Sequence, residues 1–294
     1  MFTTLVAVIA ALVLGHLAPA LLATVRDWRW FGRYLGWWRA QLGESAGHYA
    51  VLLAILPCVL LMALAQWALD GRLFGLPSLV FGIVVLALCW GPRDLDRDVE
   101  AVIDADDGPA AALAVSRLQS AGGSLREDAP GLVEATVINA LRRWFAPLFW
   151  FLLLGPAGVL LYRLLAQSSQ GAQSALLSSD ERRAGDGLLA VLEWPVAQLM
   201  TLSMALVGNF DTVFSAWRRA AGNRWALQLG FLAEAARASV GAELVEEAEA
   251  ARLQGQVPAD ERYPELRDAM SLVWRMLLLW MAVLALLVIA GWVG

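Results

Sequence analysis

Seven polar side chains stand where they could do chemistry inside or beside an apolar segment: His16, Asn139, Arg142, Arg143, Arg163, Glu193 and Asp211. Arg142 and Arg143, with Asn139 a turn earlier, precede a long apolar run. Two guanidiniums beside a carboxamide can cradle a phosphate through charge-assisted hydrogen bonds. The plainer role for the same pair is the positive anchor found at the cytoplasmic ends of membrane spans. Arg163 follows GPAGVLLY near the far end of that run, where it can hold an anionic ligand, pair with Glu193, or snorkel to the headgroups. Glu193 lies in the next apolar segment, where an acid at the helix centre costs ~2.5–3.5 kcal/mol. A helix starting at Leu188 would place it only roughly 8 Å in, near the interface, with Pro195 tolerated early in the helix. His16 sits in the first apolar run, either as a hydrogen-bonded core residue or as an intramembrane ionisable group with a function. Asp211 follows Gly208-Asn209 and either completes a polar mouth or caps the next helix.

The elements that must position these groups are membrane helices. Hydrophobic residues make up 59% of the 294 residues against 17% charged, with a mean hydropathy of +0.60. That exceeds what a soluble core of this size needs. A bilayer core ~30 Å thick takes about 20 apolar helical residues. Segments 2–24, 49–69, 74–90, 144–165 and 272–293 meet that length or nearly so, and 188–208 is a less uniform sixth. An open sheet would leave backbone groups unsatisfied in lipid, and the ten-residue alternation of a membrane barrel is absent.

Several classes are excluded. All 22 basic residues other than histidine are arginine. Without lysine there is no Walker A loop and no Schiff-base or pyridoxal-phosphate chemistry. Cys58 and Cys89 lie in apolar runs at a spacing that suits packing, not a metal or a disulfide. Neither His16 nor His48 has a His or Cys at ligand spacing, so no metal or cofactor is expected. Asp94, Asp96 and Asp98 imitate a calcium loop, but Val99 and Ala105 occupy its glycine and glutamate positions, so the run reads as a solvated helix face. With a net charge of −5 and no basic patch among exposed aromatics, nucleic-acid binding is not expected. The N-terminal run lacks a basic leader and reads as an uncleaved span despite Ala18-Pro19-Ala20.

Arginine counts orient the spans. The stretches 25–48, 91–143 and 209–271 are arginine-rich, whereas 70–73 and 166–187 hold only Arg72, Arg182 and Arg183. If 188–208 crosses, all three rich stretches fall in the cytoplasm and both termini in the periplasm. The expectation is thus one all-α membrane domain over 1–294, with about six transmembrane helices and a helical cytoplasmic cap built from 91–143 and 209–271. The segment 25–48 combines four arginines with Trp28, Trp30, Trp37 and Trp38, residue types that favour the headgroup level. It reads as an interfacial helix, with the lipid bilayer, and anionic lipid at 26–39, as its partner.

The wording APLFW at 146–150, GPAGVLLYR at 155–163 and ALVGNFD at 205–211 resembles the AmpE/CobD-like family of bacterial inner-membrane proteins. The resemblance covers the middle and later half of the chain and implies a multi-pass inner-membrane location. One branch, the CobD/CbiB-like adenosylcobinamide-phosphate synthases, carries a Glu-Asn-Thr-Ser-Asp-Gly type run before the APLFW-like element. Aligned on Ala146-Pro147, this chain keeps Asn139 but has Ile138 for the glutamate and Arg142-Arg143 for Asp-Gly. The loss of both acids removes metal or general-base groups. The AmpE branch, linked to β-lactamase induction and cell-wall recycling, is closer in EWPVAQL, in ALVGNFD and in length. The resemblance therefore implies a regulatory or sensory protein, more a non-enzyme than an enzyme, acting through a cell-wall-derived ligand or a partner membrane protein. The synthase is the alternative reading, and a transporter or scaffold a further one.

Overall fold

A computed structural model describes residues 6–8, 10, 28–42, 49–70, 76–90, 95–105, 108–118, 128–220, 227–254 and 263–290. Among them there is no strand. The helices are α1 (Arg29–Leu42), α2 (Ala50–Leu69), α3 (Leu76–Cys89), α4 (Leu95–Ile103), α5 (Gly108–Leu118) and α6 (Ala129–Ala140). A π turn (Leu141–Phe145) leads to α7 (Ala146–Leu154) and α8 (Pro156–Gln170). After a 3₁₀ turn (Ala172–Leu176) come α9 (Ser179–Val207), α10 (Phe210–Ala220), α11 (Gly230–Leu253) and α12 (Pro264–Ile289). Four described stretches are long and apolar enough to cross a membrane: Ala50–Leu69, Ala129–Leu154, Ser179–Val207 and Pro264–Ile289, with Leu76–Cys89 a shorter apolar helix. The chain is an all-α, multi-pass membrane protein. Most of 2–24 lies outside the described residues.

The chain divides into two compact units. The first comprises Met1–Pro92, Ala146–Glu193 and Leu284–Gly294. Its centre is α8, which packs on α2, α3 and α7. The sequence reads 144–165 as one crossing, but the helix ends at Gly155, whose φ of 70° lies in the left-handed region that favours glycine. Pro156 then opens α8, where its missing N–H removes no helical bond. Gly158 comes back so close that a Cβ there would stand 2.4 Å from the Trp150 carbonyl oxygen and 2.5 Å from Leu154 Cβ. Along an unbroken helix eight residues would separate them by roughly 12 Å. GPAG therefore breaks the helix and lets the start of α8 pack closely on the end of α7. At this break the Ala157 N–H donates to Gln66 Oε1 over 3.3 Å.

One side chain joins two segments that the arginine count separates. Arg39 of α1 forms an ion pair of 3.2 Å with Glu181 and donates to the Leu176 carbonyl. Segments 25–48 and 166–187, which the arginine count puts on opposite faces of the bilayer, are thus in contact within one unit.

The second unit comprises Arg93–Phe145 and Trp194–Val283. Here the two inserts do pack as a helical cluster: α11 lies against α6 and α10, and α4 and α5 pack on each other and on α6. The first half of α11 is buried through Phe231, Leu232, Ala235, Ala236 and Val240, and its acidic second half is largely exposed. Arg237 joins the two inserts through Glu134 at 2.9 Å, with Glu234 at 2.6 Å on its other side.

Candidate functional site

In the second unit the polar residues before the apolar run are turned into the protein. The chain widens into a π turn over Leu141–Phe145, an arrangement often found at functional sites. Arg143 is 9% exposed, and its Nη1 lies 2.6 Å from Asp98 Oδ2 of α4. Its Nη2 donates to the Arg117 carbonyl over 3.4 Å, and Asn139 Nδ2 donates to the Leu118 carbonyl over 2.6 Å. Asn139 also bonds the Ala135 carbonyl at 2.8 Å. Two side chains thus hold the end of α5, and one of them also holds α4, against α6 and its π turn. Arg142, next to this lock, is half-buried.

Asp98 corrects one expectation. The acidic run of α4 was expected to face solvent, but Asp98 is 6% exposed and sits on the stripe that buries Leu95, Val99 and Val102. Leu95 three residues before it and Val102 four after it were a usable signal. Asp96, Glu100 and Asp104 lie four apart on the neighbouring face and line a groove of about 460 Å³ with Arg267 and Met270. Trp274 Nε1 donates to Asp96 Oδ1 over 2.8 Å. Asp211 is exposed in the first turn of α10. The cap of that helix is Asn209, whose Oδ1 accepts from the Thr212 N–H at 3.1 Å.

In the first unit Glu193 is 2% exposed and accepts from the Tyr162 hydroxyl over 3.3 Å. Arg163, the next residue, is 5% exposed. The structure therefore brings Tyr162, Arg163 and Glu193 into one unit's interior, and Tyr162 was not foreseen. Nor does Glu193 lie near a helix end: α9 begins at Ser179, so Glu193 is roughly 21 Å along it. Pro195, two residues later, stands in the helix interior and deprives the Val191 carbonyl of its donor. Trp150 Nε1 donates to the adjacent Leu192 carbonyl at 3.2 Å.

The early start of α9 has a local cause. Ser178 and Glu181 form a reciprocal capping box: the Ser178 N–H reaches Glu181 Oε2 at 2.7 Å and the Glu181 N–H reaches Ser178 Oγ at 3.3 Å. Nearby, the Tyr34 hydroxyl donates to the Ala54 carbonyl over 2.9 Å, and burial, with Cys58 beside it, pushes its pKa up to about 12. His16 lies outside the described residues.

Comparison with known proteins then places the chain. The cobalamin biosynthesis protein CobD of Chromobacterium violaceum is 29% identical over 225 residues, covering 70% of this chain and 66% of that protein. Protein AmpE of Shigella flexneri is 27% identical over 188 residues, covering 60% of this chain and 66% of that protein. The matches thus span just under two thirds of either relative's length. No solved structure matches. The model of the family described as regulatory signalling modulator protein AmpE matches residues 28–294, and the chain belongs to that family.

Proposed function

We propose that this chain is a regulatory or sensory inner-membrane protein that modulates β-lactamase induction in response to the state of the cell wall. The observation that best supports this reading is the lock at the π turn. Arg143 and Asn139 donate to α4 and α5, so the polar groups beside the apolar run hold an insert in place, a conformational role. A buried ion pair that fixes one arrangement suits a two-state element, because removing either partner leaves a charge uncompensated. In this reading Arg142 is the group that meets an anionic, cell-wall-derived ligand, and a partner membrane protein reads the position of the insert. The inserts 91–143 and 209–271 face the cytoplasm, and anionic lipid contacts segment 26–39. The test is disruption of the gene in its own host and measurement of β-lactamase activity with and without a β-lactam. A changed induction ratio, restored by the full chain, is expected. An unchanged ratio would remove the reading.

A second reading follows from the CobD relative, which aligns over the longer stretch. It would make the chain an adenosylcobinamide-phosphate synthase, with Asn139 the retained residue of that branch's polar run. Against it stand Ile138 and Arg142 where that branch has acids. Native mass spectrometry of protein extracted gently from its own membrane separates the two. A retained corrinoid supports the synthase, and a muropeptide-like mass or lipid alone supports the regulator.

A further inference from the structure

We infer that the face of α1 formed by Arg29, Trp30, Arg33 and Trp37 lies on a bilayer surface carrying anionic lipid, on the same side of the membrane as residues 172–181. These four positions cluster on one side of the helix, within about a third of its circumference. Trp30 is 44% and Trp37 55% exposed, and both arginines are exposed, whereas Phe31 and Leu35 on the opposite side are fully buried. The fourteen residues of α1 contain three arginines and three tryptophans and no acid. Indoles with a polar N–H, and guanidiniums on long apolar stems, are the side chains that settle at the headgroup level.

The surroundings favour lipid as the occupant. The helix is tied to α2 by the Tyr34 to Ala54 bond, at the end of α2 where Leu52, Leu53 and Leu56 are exposed. That apolar surface belongs to a helix long enough to cross a bilayer, so the face of α1 continues a surface that already meets lipid. A positive face free of acid complements a negatively charged leaflet. The third arginine, Arg39, is turned to Glu181 and the Leu176 carbonyl, which ties the 3₁₀ turn and the start of α9 to the same surface. The inference deepens the lipid contact named above. It rests on the chain crossing a membrane, and it stands whether or not the chain regulates β-lactamase.

The test uses the full chain with Gly36→Cys, a position with open space around it, in a Cys58→Ala background, since Cys89 is buried. A spin label there, in phosphatidylcholine vesicles with and without phosphatidylglycerol, is read by collision with oxygen and with a water-soluble nickel chelate. A label at headgroup depth in the phosphatidylglycerol vesicles is expected. A fully water-exposed label would overturn the inference, as would spin–spin broadening from a second copy covering the face. In parallel, Arg33→Gln should lower the phosphatidylglycerol retained on extraction by roughly fivefold. Arg252→Gln, on an exposed arginine of α11 in the second unit, should leave it unchanged. Equal retention in both variants would also overturn the inference.

Discussion

The two units solve the same problem, holding helices together, by different means. In the first, beside the Arg39 to Glu181 pair and the Trp150 to Leu192 bond, a close helix contact is made by backbone and small residues: Gly155 breaks the helix and Gly158 lets α8 approach the Trp150 carbonyl. Lipid offers little hydrophobic gain for helix association, so close packing must supply it. In the second, charges and indoles make the long-range links: Arg143 to Asp98, Arg237 to Glu134, Arg275 to Glu243 at 2.6 Å, and Trp280 Nε1 to Ser203 Oγ at 2.8 Å. The first arrangement is intolerant of added volume, the second of lost charge.

That contrast can be broken by mutation. The largest effect should come from Asp98→Ala, which leaves the buried Arg143 guanidinium uncompensated and should cost about 3–5 kcal/mol. Denaturant unfolding in detergent would measure it, and the exchange Asp98→Arg with Arg143→Asp should recover part of the loss. Next, Gly158→Ala inserts a methyl where only 2.4 Å is open and should destabilise the first unit by about 1–3 kcal/mol. The same change at Gly241, which has open space around it, should not destabilise and provides the control. Ser178→Ala removes half of the capping box and should cost about 1 kcal/mol, seen as faster amide exchange in the first turn of α9. The smallest effect is expected from Trp280→Phe, which keeps the ring against Phe145 but loses the bond to Ser203, about 0.5–1.5 kcal/mol.

The sequence made the membrane class legible because hydropathy and length act locally. Asn139, Arg143, Arg163 and Glu193 stood out because charge and amide are rare beside apolar runs, and all four are buried. What local patterns could not supply was the partner. Asp98 lies 45 residues before Arg143, and the apolar stripe that marks Asp98 as the inward carboxylate does not say which cation it meets. The apolar run 144–165 did not mark its own interruption, which the left-handed Gly155 sets. Ser178 and Glu181 did carry a capping signal, which a search for apolar runs passes over. As a result α9 was expected to start at 188 and Glu193 to lie near a helix end.

The account turns on the pair that locks the insert to the π turn, and the most direct measurement is β-lactamase induction in a host lacking the native gene. The chain is supplied as wild type, as Asp98→Ala, or as the Asp98→Arg, Arg143→Asp exchange, with membrane insertion confirmed for each. Wild type should restore the induction ratio, Asp98→Ala should fail to, and the exchange should recover part of it. Full restoration by Asp98→Ala, at equal amounts in the membrane, would contradict the account.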